Sequence, residues 1–192
     1  MVSIKEISWS LYGAYLIARR DKDALQYFNI SAEGFYRSFA AMLLAVPFFI
    51  LENGIDYKHI ATDTALVPFL SLLCLAFWTS WGAFLIFMGS FARLLGFSDK
   101  FSIFVIVYNW AQLALIALWL PLSVISGGLL PEGIASGINL LFIGASYVYL
   151  WQILRITLNL TGTLAAGFAF LEFLVAVLTQ AFFSKWLFTV PL

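Results

Sequence analysis

The chain has 192 residues, of which 63% are hydrophobic and 10% are charged, and ten basic and ten acidic side chains cancel to a formal net charge of zero. A soluble domain carries roughly 25% charged residues. The composition therefore argues against a soluble domain, and it excludes a disordered chain and a nucleic-acid binder with a basic face. It predicts an all-α polytopic membrane protein, a five-helix transmembrane bundle with an interfacial N-terminal helix.

Residues 1–34 precede the apolar spans and form a separate N-terminal segment. Apolar side chains recur at helical spacing along it, at Ile4, Ile7, Leu11, Tyr15 and Ala18. This stripe predicts an amphipathic helix that either anchors the chain in the headgroup layer or packs against the bundle. The functional interpretation is a partner-docking or membrane-sensing element. The hydroxyl of Ser31 is expected to cap the next helix.

Five apolar stretches follow and make one transmembrane domain over residues 35–188. A helix needs about 20 residues to cross the hydrocarbon core. The predicted spans are residues 35–51, 65–89, 102–126, 135–158 and 163–187. The first is the weakest, because its charge-free run from Ser38 to Leu51 is short and contains Pro47. It either crosses the membrane, with Arg37 reaching toward the interface, or forms a re-entrant or interfacial helix.

Basic residues are distributed unevenly between the two sides of the predicted bundle. One side receives two of them, Lys58 and Lys185, and the other receives eight. The eight are Lys5, Arg19, Arg20, Lys22, Arg37, Arg93, Lys100 and Arg155. Because positively charged loops remain in the cytoplasm, the pattern predicts a cytoplasmic N-terminus and a C-terminus outside.

Small residues at helical spacing are expected to form the packing faces, because they let helix backbones approach closely. In spans two and four these positions are Gly82, Gly89, Gly96, Gly133, Gly137 and Gly144. In span five they are Ala165, Ala169 and Ala176, which share a face with Glu172.

Glu172 is the only acidic or basic residue deep inside a predicted span. It lies near mid-membrane on the face of small residues, so it is expected to face protein rather than lipid. Asn109 and Gln112 in span three and Tyr147 and Tyr149 in span four reach a similar depth, and Asn109 is the expected partner. Such an acid either handles protons or cations in a transport path or fixes the bundle as a hydrogen-bonded carboxyl group.

The sequence contains no pattern typical of an enzyme, a metal site or a cofactor site. It has no P-loop, no Gly-x-Ser-x-Gly elbow and no Cys/His cluster. Its one histidine, His59, is expected to be solvated in a loop beside Asp56 and Asp63. The prediction is a protein without enzymatic activity, metal ion, cofactor or nucleic-acid partner.

Two segments, ARLLGFSDKFSIFVIVYNW and YLWQILRITLNLTGTLAAGFAF, resemble the Yip family of five-span membrane proteins. The resemblance implies five spans and a cytoplasmic N-terminus, as in the eukaryotic members that interact with Rab GTPases and in their bacterial relatives. Rab binding is not expected here, because the chain lacks the long N-terminal cytosolic domain. The opening NISAEGFYRSF is similar to short bacterial inner-membrane proteins, which implies that location.

Two functions are consistent with these features. The first is an integral membrane protein that organises the bilayer or partner proteins, either by self-association or as a subunit of a larger complex. The alternative is a small transporter or channel for protons, ions or a small solute that uses Glu172. A continuous polar cavity reaching Glu172 favours the alternative, whereas a dry bundle with an exposed apolar groove or a self-association face favours the first.

Overall fold

The computed structural model describes residues 2–57 and 64–187, and within them every regular element is helical. The helices are α1 (Ile4–Ala18), α2 (Ala32–Ser38), α3 (Ala40–Asp56), α4 (Leu66–Leu95), α5 (Ser98–Leu129), α6 (Glu132–Leu158) and α7 (Gly162–Leu187), with a 3₁₀ turn at Ala24–Tyr27. The predicted loop residues Lys58, His59 and Asp63 lie outside the described ranges.

Five helical stretches are long and apolar enough to cross a membrane. They are Ala32–Ile55, Leu66–Leu95, Ser98–Ser126, Glu132–Leu158 and Gly162–Leu187. The all-α architecture with five such helices is confirmed. The helices run past the predicted apolar stretches because backbone hydrogen bonding continues where the side chains become polar. Gly96 (φ 76°) ends α4 and Asn159 (φ 56°) ends α6, both in the left-handed conformation that closes helices.

The first apolar stretch is longer than predicted and is interrupted. Helix α2 ends at Ser38, and α3 resumes at Ala40 after Phe39. The Ser38 hydroxyl donates to the carbonyl of Phe35 at 2.7 Å, a local side-chain bond of the kind that competes with helical pairing. Ser31 caps α2 as predicted, since its Oγ accepts the N–H of Gly34 at 3.0 Å.

The bundle has two ends, which we name by the elements that they carry. The proximal end carries α1 and the α4–α5 and α6–α7 connections, and the distal end carries the α5–α6 connection. Helix α5 is central, since it contacts α1, α2, α3, α4 and α6. Every residue from Phe104 to Ala111 is buried. More than two turns of α5 are therefore covered on all sides, and the main core lies in the proximal half.

Helix α1 packs against α5 and α6, which is one of the two alternatives that the sequence leaves open. The predicted apolar stripe is not its buried face: Ile4 is 83% exposed and Tyr15 is 52% exposed. The buried positions include Ser10, Gly13 and Ala14. Leu16 and Ile17 are buried as well, so the buried face of α1 combines small side chains with two large apolar ones.

The glycines predicted to pack spans two and four mostly do not. A Cβ added at Gly82, Gly133, Gly137 or Gly144 would meet no neighbouring atom within 4 Å, and Gly96 serves to end α4. Gly89 is the exception, because a Cβ there would lie 3.2 Å from the ring of Phe101 on α5.

The distal half of α6 packs through the opposite side, where Phe142 contacts the ring of Trp119 with centroids 4.6 Å apart. Its glycine face is therefore turned away from the bundle, together with the exposed Leu140 and Leu141.

Candidate intramembrane polar site

Glu172 lies on the side of α7 that faces the bundle. Ten residues separate it from the start of α7 at Gly162, which is about 15 Å along a helix. Ala165 and Ala169 precede it on the same face and are buried, whereas Ala176 follows it and is half-buried. Phe170 and Leu178, on other sides of the helix, are exposed. The carboxyl group thus points toward protein from within the apolar stretch.

Two tyrosine hydroxyls are the polar neighbours of the Glu172 carboxyl group. Tyr108 comes from the buried stretch of α5, and Tyr147 comes from α6. The side chain of Gln112, one turn after Tyr108, interacts in turn with the Tyr108 hydroxyl. Three helices therefore contribute to one polar group, in which hydroxyl and amide side chains of α5 and α6 lie beside the single acid of α7.

A cavity of about 350 Å³ adjoins this polar group. It lies between α5, α6 and α7, and α7 packs mainly on α4 and α6. Its polar lining comes from Glu172, Tyr108, Gln112, Ser146, Tyr147 and Tyr149, and the other lining residues are apolar. Along α5 the lining runs from Tyr108 to Trp119, which corresponds to about 16 Å of helix.

The cavity is closed toward the proximal end. The core residues Phe104 on α5, Leu154 on α6 and Phe168 on α7 lie on that side of the polar group and are all buried. Toward the distal end the lining continues to Trp119, whose indole N–H donates to the carboxylate of Glu52 on α3. The exposed side chain of Ile143 is part of the lining. The described lining therefore closes the cavity off toward the proximal end and continues on the distal side of Glu172.

No basic side chain lines the cavity in the part of the chain that the structure describes. Arg155 lies nearer the proximal end, with its guanidinium 4.9 Å from the ring centroid of Trp151. Arg93 is exposed near the end of α4. In the described chain, the polar groups beside the acid are therefore hydroxyl groups and not a cation.

Asn109, the expected partner of Glu172, has other partners. Its amide nitrogen donates to the hydroxyl of Ser38 at 2.9 Å, and its amide oxygen accepts the indole N–H of Trp81 at 2.9 Å. All three side chains are buried. The prediction of an Asn109–Glu172 pair is therefore wrong. Asn109 reaches the expected depth, but it lies about 100° around α5 from Tyr108, on the side facing α2 and α4.

Tyr149 lies beside the cavity, yet its hydroxyl is used elsewhere. It donates to the carbonyl oxygen of Ala14 in α1 at 2.8 Å. Gln152, nearly one turn later on α6, donates to the carbonyl of Ile17 in the last turn of α1. These two side chains fasten the end of α1 to α6, so the structural role of Tyr149 is to hold the N-terminal helix.

Of the predicted polar residues, the structure brings Glu172 and Gln112 together, places Tyr149 at the wall and separates Asn109. The residue that the sequence interpretation missed is Tyr108. One signal for it is the spacing of Tyr108 and Gln112, which are four residues apart and therefore share a face of α5.

A metal centre is not indicated in residues 2–57 and 64–187, where no group of three or more His, Cys, Asp or Glu side chains is arranged to hold an ion. Comparison of the chain with models of known protein families, with characterised proteins and with solved structures finds no match. The resemblance to the Yip family therefore stays a prediction.

Proposed function

We propose that the protein is a small membrane carrier, without enzymatic activity, that binds a proton, an ion or a small solute at Glu172. The observation that supports this function is the cavity itself. A carboxyl group that only fixed helices together would be enclosed by them, whereas that of Glu172 adjoins about 350 Å³ of space. Intramembrane acids beside such space are typical of proton and ion pathways.

The shape of the cavity favours a carrier over an open channel. Buried residues close it toward the proximal end, so no continuous polar path crosses the bundle within residues 2–57 and 64–187. A carrier needs access from one side at a time, followed by a rearrangement that opens the other side. In this proposal, the change of access occurs at the polar group formed by Tyr108, Tyr147 and Glu172.

The test is a flux assay on purified protein in liposomes that carry a pH-sensitive dye. We expect movement of protons, alone or in exchange for a monovalent cation, that is lost in Glu172→Gln. Glu132→Gln is the matched control, since Glu132 is an exposed acid at the start of α6, and it should retain flux. Wild-type flux no greater than that of empty liposomes would overturn the proposal.

A second function, organisation of membrane proteins, is favoured by one observation on α6. Gly133, Gly137 and Gly144 share one face of α6, and a Cβ added at any of them would meet no neighbouring atom of the described chain within 4 Å. Glycines spaced in this way let two helices approach closely in a bilayer. We propose a second copy of the chain as the partner, because the same face of two copies can pack together across a two-fold axis.

The self-association is tested by the mass of the particle in mild detergent. Gly137→Leu should convert a dimer to a monomer. Gly82→Leu is the control, because Gly82 also has open space but lies on α4. A wild-type protein that is monomeric in this measurement would contradict this second proposal.

We further propose that the protein resides in a bacterial inner membrane with its proximal end in the cytoplasm. The basic residues support this orientation, since Arg19, Arg20, Arg93 and Arg155 all belong to proximal segments. Basic residues beside membrane spans are retained on the cytoplasmic side.

A further inference from the structure

We propose that the cavity beside Glu172 is a binding site for an organic monocation with an apolar body, such as a substituted ammonium ion. The inference rests on the proposed function and names the class of ligand that the same site would take. Three features of the cavity carry it: its charge, its aromatic walls and its size.

The charge comes from one acid with no cation beside it. Tyr108 and Tyr147 are the polar neighbours of the Glu172 carboxyl group, and no lysine or arginine lines the cavity in the described residues. An ionised carboxylate in an apolar region requires a positive partner. Since the described chain supplies none, a ligand that ionises Glu172 must bring the positive charge itself.

The walls favour an organic cation over a bare metal ion. Tyr108 and Tyr147 are the aromatic side chains beside Glu172, and Phe142 and Trp119 line the cavity farther toward the distal end. Aromatic faces attract alkylammonium groups, and they do so more strongly when water is excluded. Hard metal ions such as Ca²⁺ need six or more oxygen ligands, whereas the lining offers one carboxyl group and a few hydroxyl and amide groups.

The size of the cavity fits a small organic molecule. Its volume of about 350 Å³ is at the lower end of the range of ligand sites, about 300–1,000 Å³. Leu115, Ile116 and Leu150 provide apolar surface on the walls. A compact ligand would place its cationic group at Glu172 and its apolar body along these side chains.

The experiment measures binding of radiolabelled benzyltrimethylammonium to the full chain in nanodiscs by scintillation proximity. Empty nanodiscs correct for partitioning into lipid. We expect saturable binding that unlabelled benzyltrimethylammonium displaces. Neopentylbenzene, in which carbon replaces the charged nitrogen, should displace at least about tenfold less effectively, because it lacks the charge that pairs with Glu172.

Two variants assign the binding to this cavity. Glu172→Gln should weaken binding by about tenfold or more, whereas Glu132→Gln should bind as the wild type does. The comparison of charged and neutral competitors uses the wild type alone, so it holds even if Glu172→Gln fails to fold. Absence of saturable binding, equal displacement by the neutral compound, or equal loss in both variants would each overturn the inference.

The outcome is distinguishable from failure of the proposed function. Cation binding without flux would remove the carrier function and keep the cation site. Flux of protons in liposomes without binding of the organic cation would keep the carrier function and overturn the assignment of its ligand.

Discussion

The hydroxyl of Tyr149 donates to the carbonyl oxygen of Ala14 at 2.8 Å, across 135 residues of chain. This bond joins the cavity wall to the N-terminal helix, because Tyr149 also lines the space beside Glu172. Helix α1 is therefore part of the structure that shapes the site. At its other end, Glu6 holds Arg37 of α2 in an ion pair at 3.0 Å.

Removal of this hydroxyl should loosen α1. In Tyr149→Phe we expect faster hydrogen exchange in residues 4–18 and a loss of about 1 kcal/mol in the free energy of unfolding, the usual value of one hydrogen bond. Tyr36→Phe is the control, because Tyr36 is 75% exposed. Equal exchange rates in both variants would show that the Tyr149 bond does not hold the helix.

Asn109 should matter for stability more than Gln112 does. Asn109→Leu leaves the buried indole N–H of Trp81 without its acceptor and removes the donor to Ser38. We expect a loss of about 1–3 kcal/mol in a detergent unfolding titration. Gln112→Leu changes a half-buried side chain at the cavity wall and should cost clearly less. A larger loss of stability in Gln112→Leu than in Asn109→Leu would contradict the assigned partners of Asn109.

Gly34 is required where α2 begins. An added Cβ would clash with the carbonyl oxygen of Asn29, so the backbone of Asn29 must move. Gly34→Ala should lower the free energy of unfolding by about 1–3 kcal/mol. In contrast, Gly82→Ala enters open space within α4 and should raise it by roughly 0.5–1 kcal/mol, the usual gain of alanine over glycine in a helix. Similar effects at both positions would refute this contact.

The proposed orientation is testable with single cysteines in a Cys74→Ser background. Asp99→Cys reports on the proximal end and Glu132→Cys on the distal end, and both native residues are exposed. A maleimide that does not cross membranes should label Glu132→Cys in intact spheroplasts and label Asp99→Cys only after lysis. The opposite pattern would invert the topology.

The five apolar helices are predictable from the sequence because length and hydropathy alone determine whether a helix can cross a bilayer. The depth of a side chain in the membrane is also predictable, since it follows directly from the position of the residue along its helix. Glu172, Asn109 and Gln112 were accordingly expected at a common level in the membrane.

Azimuth, the side of the helix that faces a given neighbour, is not predictable in this way. A shift of one residue turns the side chain by about 100°, which separates Tyr108 at the cavity from Asn109 at Trp81. The glycine face of α6 shows the same limit: spacing identifies a face suited to close packing, but which helix meets that face depends on how the whole bundle assembles.

The most direct test of the central claim, that Glu172 adjoins an accessible binding cavity, is chemical labelling with dicyclohexylcarbodiimide followed by peptide mass spectrometry. This apolar reagent modifies carboxyl groups that it reaches from within the membrane. We expect modification of Glu172 that decreases when benzyltrimethylammonium is present. An unmodified Glu172, or modification that the cation leaves unchanged, would contradict the claim.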